Sequence, residues 1–109
     1  MAKHGGFGGG MNMNMVKQVQ KMQQDMLKTQ EEIEAREFSA TAGGGAVGAT
    51  VSGARSLLTV RLQPEAVDPE DVEMLQDLIV AAVNEALKQA EETMEREMKR
   101  FTGGMKLPF

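Results

Sequence analysis

A chain of 109 residues, 41% hydrophobic and 26% charged, fits one domain with a modest core, for which pairing of copies is a ready source of further burial. It has no Cys, Trp or Tyr, which excludes disulfides, thiol chemistry and cysteine zinc sites; four dispersed Phe residues do not make the stacking platform expected for single-stranded nucleic acid. The net charge of −4 argues against an anionic partner, but its distribution reverses that reading: residues 1–30 carry four basic groups against one acidic, residues 31–95 four against fourteen, and residues 96–109 four against one, so both ends are basic and the middle is acidic.

Residues 1–10, with Gly5, Gly6, Gly8, Gly9 and Gly10 around Phe7, hold too little side chain to pack and read as a flexible tail. They are not a phosphate-cradling loop, because no strand precedes them. No apolar run resembles a signal peptide or spans a bilayer, so a soluble cytoplasmic protein without a membrane partner is expected.

Residues 11–37 contain no Pro or Gly, and Met15, Val19, Met22, Met26, Thr29 and Ile33 recur at alternating intervals of four and three. That is a heptad seam, which predicts a long helix packed lengthwise on another helix. The period then becomes two: Phe38, Ala40 and Ala42, then Val47, Ala49 and Val51, then Leu58, Val60 and Leu62 alternate with polar neighbours, which predicts a three-stranded antiparallel meander. Gly43, Gly44 and Gly45 supply positive φ angles for the first hairpin loop, and the run from Ser52 to Arg55 suits the second. Pro64 ends the third strand. Asp68 is expected as N-cap of a second helix, with Pro69 at its first position and Glu70 and Asp71 at the positive end of its dipole. Its apolar stripe runs from Val72 through Leu75, Leu78, Ile79, Ala82, Val83, Ala86, Leu87 and Ala90, thins to Met94, Met98 and Phe101, and stops at Gly103 and Gly104.

At ~1.5 Å per residue the second helix is about 50 Å long, against a radius of gyration of about 13 Å for a compact domain of this size. Part of it must project with its apolar stripe uncovered, so a two-fold dimer is expected, with Val72, Leu75, Ile79, Val83, Met94 and Met98 at the interface. Lys17, Lys21 and Lys28 share one face of the first helix, and Arg96, Lys99 and Arg100 one face of the second, both toward the ends distant from the sheet. These six are the candidate contacts to DNA phosphates; without helix-turn-helix or zinc-finger spacing, they predict duplex binding of weak sequence preference and strong salt dependence.

Candidates for chemistry are few. The single His is His4, in the tail, so Ser39, Ser52 and Ser56 have no structured base to activate them. Glu31, Glu34, Asp71 and Glu73 read as solvated helix carboxylates. Met11, Met13 and Met15 offer thioethers suited to Cu(I), but a spacing of two scatters them around a helix. A non-enzymatic protein without metal, cofactor or small-molecule substrate is therefore expected.

The chain resembles the YbaB/EbfC family of bacterial nucleoid-associated proteins over nearly its whole length. The resemblance is carried by the Gly- and Met-rich start, by Lys17-Gln18, by Gln20-Lys21-Met22-Gln23 and by Gln30-Glu31-Glu32-Ile33. It continues in Val51-Ser52-Gly53, Pro64, the 75–86 run with Leu78, Ala81, Ala82 and Asn84, and the tail with Gly103-Gly104-Met105 and Leu107-Pro108. It implies an α+β protomer of α-β-β-β-α order in residues 11–102, followed by a C-terminal tail over 103–109. It further implies a tweezer-like homodimer, DNA binding through the helical arms that alters DNA conformation, a place in the nucleoid, and an influence on gene expression. The rival is a prefoldin-like module that holds protein clients between helical arms. Three strands, unlike an even number, send the two helices from opposite sides of the sheet, which predicts that they do not form one continuous antiparallel coiled coil.

Overall fold

The structure, a computed structural model, describes residues 13–102. The expected tail over 1–10, His4, Met11 and the Gly103-Gly104 stop lie outside the described residues. Helix α1 (Met13–Glu34) leads into strands β1 (Glu37–Ala42), β2 (Val47–Ser52) and β3 (Leu57–Leu62), a single 3-10 turn (Pro64–Ala66) and helix α2 (Val72–Thr102). The chain is thus the α+β, α-β-β-β-α protomer expected.

Helix α1 ends three residues before Glu37. The Arg36 N–H donates to the Ile33 carbonyl at 3.0 Å and the Arg36 carbonyl accepts from the Gly53 N–H at 2.9 Å, so Glu37 is recruited as the first residue of β1. The strands form an antiparallel sheet of order β1-β2-β3. Its register aligns Phe38 with Val51, Ala40 with Ala49 and Ala42 with Val47, and sets Val47 and Ala49 opposite Leu62 and Val60. The alternating apolar side chains of β1 and β2, with Val60 and Leu62 of β3, therefore belong to one face, and a register shift between Thr50 and Val51 sets Leu57 in place of the expected Leu58 opposite Val51.

The two hairpin loops are built differently. Gly43, Gly44 and Gly45 hold φ of 65°, 68° and 97°, the left-handed conformations that glycine adopts without steric cost. In the second loop the positive φ falls on Arg55, at 69°. Gly53 is there for a different reason: a Cβ on it would overlap the backbone carbonyl oxygen of Ile33, where the end of α1 crosses the turn.

The start of α2 corrects the expected cap. The Asp68 carbonyl accepts from the Asp71 N–H at 2.9 Å and its carboxylate from the Glu70 N–H at 2.9 Å, which closes a turn over Asp68, Pro69, Glu70 and Asp71. Proline thus sits in the turn and not in the helix. Asp71 is the cap, its Oδ1 accepting the Met74 N–H at 3.2 Å, three residues on as a capping carboxylate requires.

Helix α2 lies on β1 and β2. Ala82, Ala86 and Ala90 are fully buried, and their small side chains let the helix approach Val47, Ala49 and Val51, which are also fully buried. Ile33 joins Phe38, Ala40, Val51, Ala86 and Ala90 in one cluster, while Leu75, Leu78, Ile79 and Val83 pack around Val47, Ala49 and Ala82 in the other. Strand β3 lies outside this cover, with every residue from Leu57 to Leu62 exposed.

The three-strand argument needs amendment on one point. Helix α2 does begin at the Gly43–Gly45 end of the sheet, beside which Met74 and Leu78 lie. At 31 residues and ~1.5 Å per residue it outruns the six-residue strands and emerges beside α1, running the opposite way. Met26, Gln30 and Glu34 of α1 then face Ala90, Met94, Met98 and Thr102 of α2 across a shared groove. The helices thus pair antiparallel over their sheet-distal turns, while the first half of α2 stays on the sheet, so no continuous two-helix hairpin results. The radius of gyration is 22.7 Å, well beyond the ~13 Å of a compact domain of this length.

Candidate nucleic-acid interface

Burial along the α1 seam grades from one end to the other. Ile33 is buried, Thr29, Met26 and Met22 are partly covered, and Val19 and Met15 are about half exposed at 48% and 49%. The same antiparallel geometry carries Lys17, Lys21 and Lys28 toward the end of the molecule to which α2 delivers Arg96, Lys99 and Arg100. All six are exposed. Lys21 contacts Asp25 at 3.5 Å and Arg100 contacts Glu97 at 2.6 Å, both exposed pairs within one helix that are weak in water and readily exchanged for another anion. Arg96 donates to the hydroxyl of Thr93 at 3.3 Å. Lys17, Lys28 and Lys99 have no carboxylate partner among the described residues.

The opposite end has the opposite charge. Glu65, Asp68, Glu70, Asp71, Glu73 and Asp77 follow β3 and open α2 with no basic residue between them. Charge therefore varies along the long axis of the protomer: cationic at the outermost helical turns, acidic at Glu31, Glu32, Glu34, Glu91, Glu92 and Glu95 on the turns nearer the sheet, and acidic again where α2 starts.

The profile of the YbaB/EbfC DNA-binding family matches residues 8–105. The chain belongs to this family. Among relatives of this YbaB/EbfC protein, a nucleoid-associated protein of Alkaliphilus metalliredigens is 59% identical, covering 99% of this chain and 97% of that protein. Another, of Clostridium acetobutylicum, is 57% identical over 99% of this chain and 98% of its own length. The crystal structure of an uncharacterized protein from Helicobacter pylori superimposes with a TM-score of 0.64 at 21% identity, covering 79% of this chain and 91% of that one; it shows a shared fold.

The six apolar positions expected at a dimer interface are distributed unevenly in this YbaB/EbfC protomer. Val72 is half exposed, whereas Leu75, Ile79 and Val83 are partly covered by the protomer's own sheet core. Met94 and Met98 pack against the Ile33 cluster and line the groove shared with α1. Sequence periodicity does not single out an exposed apolar strip on β3: Leu57, Leu58, Val60 and Leu62, with Val67 just beyond, are 39–51% exposed. Their alternation was visible, but periodicity does not say which strand the helix leaves bare. Among the described residues no helix is long and apolar enough to cross a membrane.

Proposed function

We propose that this chain binds duplex DNA as a tweezer-like homodimer in the nucleoid, contacting backbone phosphates with Lys17, Lys21 and Lys28 of α1 and Arg96, Lys99 and Arg100 of α2. The observation that carries this reading is the charge polarity of the protomer. Basic residues from both chain ends converge on the outermost helical turns, where Asp25 and Glu97 are the acids among them, while Glu31, Glu32, Glu34, Glu91, Glu92 and Glu95 lie nearer the sheet and the run from Glu65 to Asp77 lies at the other end, where it would repel a polyanion. Contacts made by Lys and Arg to phosphates hold register but read little sequence, so binding is of weak sequence preference. Cationic arms doubled by a two-fold axis engage separated stretches of backbone and alter the path of the DNA, which connects binding to nucleoid organisation and gene expression. Family membership and the nucleoid-associated names of the relatives support the same reading.

The dimer is supported by surface that one copy leaves uncovered: the strip on β3, Val72 and Val80 on α2, and Met13, Met15 and Val19 on the outer turns of α1. Exposed apolar side chains clustered as they are on β3 mark an association site. A salt titration of duplex binding tests the function. With about six phosphates neutralised per dimer, log K falls against log salt with a slope near −5. Replacing Lys17, Lys21, Lys99 and Arg100 together with Ala flattens that slope and weakens binding without unfolding the protein. Equal affinity of wild type and variant would remove the arms from the interface.

A further inference from the structure

The open face of the sheet, turned away from α2, holds a built cationic feature. The register places Thr41, Gly48 and Arg61 in one row across the three strands, and Ser39, Thr50 and Thr59 in the next. The Ser39 and Thr50 hydroxyls are 2.7 Å apart. Arg61 Nη1 donates to the Thr50 hydroxyl at 2.9 Å and to that of Thr59 at 3.3 Å. A guanidinium is thereby laid flat across the middle strand, and Thr50 is only 6% exposed.

Gly48 makes this possible. A Cβ there would stand 2.7 Å from Arg61 Nη2, so the side chain occupies the space that any other residue at 48 would fill. Glycine inside a central strand weakens it and often marks a close approach. A charge serving only to keep an edge strand soluble needs neither that glycine nor a pair of threonine acceptors. Arg61 has no carboxylate partner among the described residues, and the acid of this face, Glu37, stands in the end row of the sheet opposite Ser52. The donors on Nε and Nη2 have no acceptor among the described residues, and a planar fork held in place loses little freedom on meeting a tetrahedral anion.

We infer that the open sheet face is a second contact to the phosphodiester backbone of DNA, with the Arg61 guanidinium as its charged donor and the hydroxyls of Thr41 and Thr59 beside it. This rests on the proposed DNA-binding function and adds a site separate from the helical arms. The test measures duplex binding across a salt series for wild type, Arg61→Gln, Arg61→Lys, Gly48→Ala and the four-residue arm variant, with thermal melting to identify folded proteins. Arg61→Gln weakens binding about tenfold at 0.1 M salt and makes the log-log slope shallower by about one for each occupied site. Arg61→Lys keeps the charge but loses the fork, and recovers only part of the affinity. Gly48→Ala, which displaces the guanidinium without removing it, weakens binding as well. In the intact wild-type protein the Arg61 Nε–H resonance shifts on addition of a short duplex. If wild type binds and the arm variant is impaired, while Arg61→Gln keeps the wild-type affinity and slope and the Nε–H resonance stays put, the sheet site is refuted and the arm reading stands. If wild type binds no duplex, both fall.

Discussion

Two glycines with different duties show what a single residue decides here. Gly44 carries a φ of 68° with open space around its Cα, whereas Gly53 is pressed against the Ile33 carbonyl. Gly44→Ala forces an L side chain into the left-handed region and is expected to cost about 1 kcal/mol. Gly53→Ala drives a methyl into backbone, which neither partner can yield without parting α1 from the β2-β3 turn, and is expected to cost about 3 kcal/mol. Denaturant midpoints of the two variants check the order. The first duty was legible in the run of three glycines. The second was not, because the atom that forbids a side chain belongs to a helix residue twenty positions earlier in the chain, and only the fold brings it there. The charged residues invite a converse test. Asp25 and Lys21 form an exposed pair that contributes little stability, yet the carboxylate dilutes the cationic face of α1. Asp25→Asn is expected to leave the melting temperature nearly unchanged and to strengthen duplex binding by a few-fold at low salt, measured by titration in parallel with wild type.

Elements were the most legible level. A heptad interval, three alternating runs and a broad apolar stripe each translate directly into helix, strands and helix, since a side chain's periodicity is its orientation. Boundaries were less so. Asp68 and Asp71 are both adequate caps, and Pro69 favours the first helical position as readily as a turn. The choice fell to Asp71 because the bond from its N–H to the Asp68 carbonyl closes the turn first. Asp71→Ala is therefore expected to destabilise α2 by about 1 kcal/mol, lowering the melting temperature by about 4–8 °C. Asp68→Ala, which loses only the bond to the Glu70 N–H, should shift it less. Equal shifts in thermal melts would return the cap to Asp68. Counting strands predicted the side from which α2 sets out, but not its emergence beside α1, because that depends on helix length against strand length and not on parity.

For the whole molecule, the sequence implied that apolar surface outruns what one copy covers without saying where. Val60 and Leu62 share a face with buried Val47 and Ala49, yet α2 lies over β1 and β2 and leaves them, with Leu58, about half exposed. Glutamate at two of these positions, in Val60→Glu with Leu62→Glu, adds charge where a second copy would sit and leaves the protomer's own buried residues untouched. The expected product is a folded monomer, seen by sedimentation or light scattering. A monomer holds half the cationic arms of a dimer, so about three phosphates are neutralised in place of six and the log-log salt slope falls from near −5 to near −3. Affinity at fixed salt would fall too, but a local contact with DNA could cause that. Sedimentation separates the two explanations, since loss of the partner gives a monomer whereas a damaged contact on β3 weakens binding by a protein that is still a dimer. A variant that remains dimeric would instead move the interface off β3 and onto α2 and α1, where Val72, Met74, Val80, Met13, Met15, Val19 and Leu27 are exposed apolar side chains.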